Sequence, residues 1–169
     1  MYLDRFKSRF EELRKVFQGK RKTFQGKIIS CEESQIYSLE QRCNISLPKA
    51  YKEFLLWGGL SAGGFLRDSN FLYDSFSQFL EMREIAEELL IEDDFIDLLP
   101  EDAFVFDMHQ GYIFLFFRTV DGDDPPVYGY KQGDSPVLHT PTPFKKLSSS
   151  FSEFLLNALE EEARSRSTI

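Results

Sequence analysis

Gly59-Leu60-Ser61-Ala62-Gly63 spells G-x-S-x-G, the pattern that holds a serine nucleophile on a sharp turn. Asp107 and His139 follow it in the order that a triad of this type uses. The chemistry needs a strand before the serine and a helix after it, so that the hydroxyl stands exposed beside an oxyanion hole. Here Leu47-Pro48 opens a helix before the serine, and strand-like residues follow it. A chain of 169 residues is also short for a hydrolase sheet with its crossover helices. The segment therefore reads as a glycine-rich turn leaving a helix, and no residue is assigned a catalytic role. A small serine hydrolase acting through Ser61 is the alternative.

Metal and cofactor chemistry finds less support. His109 and His139 lie far apart and share no ligand spacing. Asp121, Asp123 and Asp124 resemble part of a cation loop, but the closing Glu is missing and Pro125-Pro126 breaks the spacing. Cys31 and Cys43 form no C-x-x-C pair. On one helix they would stand about 18 Å apart along its axis, too far to bond. Phosphate loops and dinucleotide fingerprints are absent from the sequence. The reading is no metal, no cofactor and two thiols in a reducing compartment.

The charges suggest a binding role. Net charge is −8, but residues 1–28 carry nine Lys/Arg against three Asp/Glu, so the remainder is strongly acidic. Residues 84–107 hold ten acids and no Lys or Arg. Such a field repels nucleic acid and attracts basic partners. Glu92, Asp93, Asp94, Asp97, Glu101 and Asp102 are the expected contact acids, with Phe95 and Ile96 as apolar anchors among them. No apolar run reaches the roughly 20 residues that a membrane-spanning helix needs. The charged start, MYLDRFKSRFEELRKVF, does not read as a signal peptide. A cytoplasmic location is expected.

These residues need elements to position them. Leu3, Phe6, Phe10, Leu13 and Phe17 fall at spacings of three and four, which predicts a helix from about 3 to 18 with one apolar stripe. Gly19 and Lys20-Arg21-Lys22 should end it. Ser30 to Glu33 matches a capping box for a second helix, carrying Ile36, Leu39 and Cys43 on one face. A third runs from Leu47-Pro48 to Gly58-Gly59 and should bury Tyr51, Phe54 and Leu55. Residues 63–73 suggest a short hairpin, and 76–90 a fourth helix burying Phe76, Phe79, Leu80, Ala86, Leu89 and Leu90. Strand signals follow at 103–106, 112–117 and 127–130, the second apolar on both faces and hence central. Asp121 to Pro126 reads as a turn. A last helix, about 149–163, should bury Phe151, Phe154, Leu155, Ala158 and Leu159, and residues 164–169 should fray. The predicted class is α+β, a largely antiparallel or mixed sheet flanked by helices.

In this order the segments resemble a known family. Ile45-Ser46-Leu47-Pro48-Lys49-Ala50-Tyr51-Lys52-Glu53-Phe54-Leu55-Leu56-Trp57-Gly58-Gly59 is followed by Phe106-Asp107-Met108-His109-Gln110-Gly111-Tyr112. Then come Asp123-Asp124-Pro125-Pro126-Val127-Tyr128 and Ser150-Phe151-Ser152-Glu153-Phe154-Leu155. The series resembles the SUKH superfamily, the Smi/Knr family of yeast cell-wall regulators and bacterial immunity proteins, over about residues 30–160. The stretch Met108-His109 before Gln110-Gly111 departs from the family's turn. The resemblance implies a non-catalytic domain of residues 29–163; residues 1–28 lie outside it and read as a helical extension. It also implies a protein partner. For the bacterial branch that partner is a toxin of nuclease or deaminase type, neutralised by direct binding; for the fungal branch the role is regulatory or scaffolding.

Overall fold

Apolar residues spaced three and four apart wind into helix α1 (Asp4–Val16), and Leu3, Phe6, Phe10, Leu13 and Phe17 are all buried along it. The computed structural model describes residues 1–19, 23–66, 72–73, 76–95, 99–133 and 142–167. Lys20-Arg21-Lys22 therefore lie outside the described residues. Phe6 and Phe10 of this helix meet Trp57 edge-on, at 5.1 and 5.0 Å between ring centres. Arg9 also pairs with Glu160 of the last helix.

Helix α2 (Glu33–Cys43) begins two residues later than its sequence suggests. Cys31 is buried and its N–H donates to Leu55 O at 2.8 Å, which fixes the chain in a non-helical path. Glu32 then supplies the capping box with Gln35, in place of Ser30 with Glu33. Helix α3 (Lys49–Gly58) follows Pro48, which stands just outside the helix as its cap residue. Tyr51, Phe54 and Leu55 are buried, as their spacing predicts. Gly59 ends the helix without a left-handed turn, since its φ is −62°. Its glycine serves close approach instead: a Cβ there would sit 2.6 Å from Cys31 Sγ.

Strand β1 (Ile28–Ile29) pairs antiparallel with β2 (Ser61–Ala62). This ribbon lies just before the hairpin expected at 63–73. Residues 63–66 turn away from it, and 67–71 lie outside the described residues. Helix α4 (Phe76–Glu92) packs on β3 (Ala103–His109) through Phe79 and its neighbours, Phe79 lying 5.1 Å from Phe104. Leu80 is exposed, contrary to the sequence reading, because it faces away from that contact. The main sheet continues with β4 (Ile113–Arg118), β5 (Val127–Lys131) and β6 (Lys145–Ser148), each antiparallel to the next in the order β3-β4-β5-β6. The fold is α+β, with antiparallel sheets flanked by helices.

Two details of β3 matter. Gln110 and Gly111 both have positive φ and shape the three-residue turn 110–112 into β4, across which His109 pairs with Ile113. Asp107 lies not in that turn but within the strand, where it is buried. The register advances by one extra residue between Val105 and Asp107, which makes Phe106 a bulge. Phe104, Phe106 and Phe117 thus share a face, with Phe106 and Phe117 stacked at 5.3 Å. Tyr51 lies against Phe104, Phe117 and Phe151 at 5.5, 5.2 and 5.3 Å. This aromatic cluster joins α3, the sheet and helix α5 (Phe151–Ser167). Helix α5 continues through Arg164–Ser167, where fraying is expected from sequence. The buried Ala163 and the Arg166–Glu162 pair at 2.7 Å hold this last turn.

One loop anchors two helices. Asp123 O accepts the N–H of Ala50 in the first turn of α3 at 2.9 Å. Asp124 accepts the N–H of Ser152 at 2.9 Å and its hydroxyl at 2.5 Å, in the first turn of α5. Pro126 is half-buried, Val127 is buried and Tyr128 stacks on Phe116 at 5.4 Å. Segments scattered through the chain, Leu47-Pro48, Asp123 to Tyr128 and Ser150 to Leu155, therefore meet in one place.

Candidate docking surface

The serine of the G-x-S-x-G motif occupies β2, and its Oγ donates to Lys27 O at 2.7 Å. The segment before it is helix α3 and the residues after it turn, the reverse of a nucleophile elbow. Asp107 is buried in β3, and His139 lies outside the described residues. Burial pushes the Cys31 thiol up to about 11, so it stays protonated near neutral pH. No group of three or more His, Cys, Asp or Glu side chains suited to a metal ion occurs among the described residues. Nor is any helix among them long and apolar enough to cross a membrane.

The acids singled out from sequence divide into two kinds. Helix α4 ends in a left-handed Asp94, with φ +64°. Phe95 N–H donates to Leu90 O at 2.7 Å and Asp94 N–H to Ile91 O at 3.1 Å, the double bond of a Schellman cap. This reversal brings Glu92 and Asp93 against the end of β5. Asp93 accepts the Tyr130 hydroxyl and, at 3.2 Å, the N–H of Gly133. Burial, and then Asp93, raise the Tyr130 phenol above its ordinary range. Glu92 accepts from Gln132 Nε2 at 2.6 Å, and the Phe95 ring packs edge-on against Tyr130 at 6.4 Å. Asp102 is clamped by Arg118 through Nε and Nη2, at 2.9 and 3.1 Å. These groups fasten α4 and β3 to the sheet.

The second kind faces solvent. Asp94 and Glu101 are exposed, and Asp97 lies outside the described residues. Arg83 holds the start of β3 by donating to Ala103 O at 2.7 Å, and it pairs with Glu87 at 2.9 Å. Along the outer side of α4, Glu81, Glu84 and Glu88 are exposed and pair with no cation among the described residues. Among the described residues the acidic surface runs along the body of α4, with Asp94 and Glu101 exposed beyond it. The helical spacing of these glutamates was available in the sequence. What hides it there is the denser acid run at 92–102.

No curated protein sequence matches the chain. The sequence model of the SMI1 / KNR4 family (SUKH-1) matches residues 30–157, from just before α2 to the middle of α5. That match takes in α3, the Asp123-Asp124 loop and the start of α5, which the structure brings together. It leaves out α1, which nevertheless shares the core around Trp57. The chain belongs to the SMI1 / KNR4 family (SUKH-1).

Proposed function

We propose that this protein is a non-catalytic binding domain of the immunity type, which neutralises a toxin of nuclease or deaminase class by occupying its active surface. The observation that carries the reading is an exposed, unpaired acidic surface on a member of this family. A nuclease holds phosphates with cations, and carboxylates imitate those phosphates. They also speed the encounter by steering. Occlusion of this kind needs a rigid surface and no reaction, and the buried aromatic core behind α4 and the sheet supplies the rigidity.

Gene neighbourhood followed by co-expression tests the proposal. A toxin domain encoded beside this gene should arrest growth when expressed alone and lose that effect when this protein is co-expressed. Absence of such a gene, or growth arrest despite abundant folded protein, would contradict the toxin reading. The regulatory and scaffolding role of the family's fungal branch would then take its place.

A further inference from the structure

We infer that the outward face of α4 is the docking surface, and that its occupant is a cationic protein surface with apolar pockets; the inference rests on the protein-binding reading above. Two lines of side chains run along this face. Leu80, Glu84, Glu87 and Ile91 repeat at four, three and four residues. Glu81, Ile85, Glu88 and Glu92 repeat at the same intervals, one position on. All eight are exposed. The helix thus carries a second stripe, separate from the buried one through Phe79, Met82, Ala86, Leu89 and Leu90.

The make-up of this stripe selects its occupant. It holds five glutamates, three aliphatic side chains and no Lys or Arg. Ile91 is 58% exposed, Leu80 40% and Ile85 37%. A purely solvated face gains nothing from aliphatic groups, whereas an interface uses them as anchors. Glu87 already pairs with Arg83 and Glu92 accepts from Gln132, but covering Glu81, Glu84 and Glu88 without cations would leave buried charges unpaired, so the partner must supply Lys or Arg around them. Nucleic acid and anionic membranes are repelled. A second copy offering the same face would set glutamate against glutamate. From Leu80 to Ile91 the face spans about 16 Å of helix, enough for the central anchors of an ordinary interface.

The test uses the full chain and, as probe, the catalytically inactivated toxin domain encoded beside its gene. A photo-crosslinking residue placed at Ile85 or Ile91 should capture that domain. The same residue at Tyr37 on α2 or Val120 after β4, both exposed, should not. The triple variant E81K/E84K/E88K should fold normally and associate at least about tenfold more slowly at low salt. The difference should shrink in about 0.5 M salt, where screening is strong. Ile91→Ala should speed dissociation and leave association unchanged. Capture from Tyr37 or Val120 alone, with unchanged association of the triple variant, would overturn the surface while leaving the toxin reading intact. A wild-type protein that does not bind the domain at all would overturn the toxin reading, and the surface with it.

Discussion

Replacing Asp124 and Asp123 separately by Ala compares two adjacent acids whose contributions differ in kind. Both remove one negative charge from the same loop. The Asp124 carboxylate accepts two hydrogen bonds from Ser152 and so satisfies an N–H that the first turn of α5 leaves without a helical partner. Loss of a capping carboxylate of this sort costs about 1–2 kcal/mol. For a chain of this length that lowers Tm by roughly 3–6 °C. The Asp123 side chain makes an exposed pair with Lys49 at 2.7 Å and accepts a bond from Tyr2. Its helix-capping work is done by the backbone carbonyl, which Ala retains. Asp123→Ala should therefore cost no more than about 0.5 kcal/mol. Urea unfolding followed by circular dichroism, with a thermal scan alongside, measures both. Equal losses, or a larger loss for Asp123→Ala, would refute the division of labour in this loop.

Three further outcomes are expected. Phe54→Ala empties a fully buried site between Trp57 and Phe151 and should cost about 3–5 kcal/mol in denaturant unfolding. Asp94→Gly relieves a left-handed backbone at the end of α4 and should raise stability by about 0.5–1 kcal/mol, whereas Asp94→Ala should not. Burial raises the pKa of the Cys31 thiol and the Tyr51 phenol, and burial with Asp93 raises that of Tyr130. The unfolded chain therefore releases these protons first, so stability is intact at neutral pH and falls as pH rises above about 9. A Tm unchanged between pH 8 and pH 10.5 would contradict that burial.

Periodicity made most of this fold legible. The apolar stripe of α1, the buried residues of α3 and the strands β3, β4 and β5 all announce themselves through spacing. Strand β6 does not: Lys145, Lys146 and Leu147 are exposed and give no alternating pattern. Its pairing with β5 decides its conformation. The two-residue strands β1 and β2 are likewise too short to carry a pattern, and they form because Gly26 and Gly63 let the backbones meet, with Gly26 N donating to Gly63 O at 2.9 Å. The candidate surface was legible only in part. A carboxylate looks the same in sequence whether it is free or fastened. Asp93 is held by Tyr130 and Asp102 by Arg118, partners that only the folded sheet brings near. Leu80 fits a buried pattern by type, but its position on the helix turns it outward.

The central claim is that this protein acts by binding and not by turnover, and a titration tests it most directly. The proposed partner, a toxin domain found beside the gene, is held at a fixed concentration well above the dissociation constant, and its activity is followed as purified protein is added. Activity should fall linearly and vanish at about one equivalent, with a one-to-one complex recovered by size-exclusion chromatography. Full inactivation by a small fraction of an equivalent, growing with time, would mean catalysis. Undiminished activity at a large excess would mean that the toxin is not the partner.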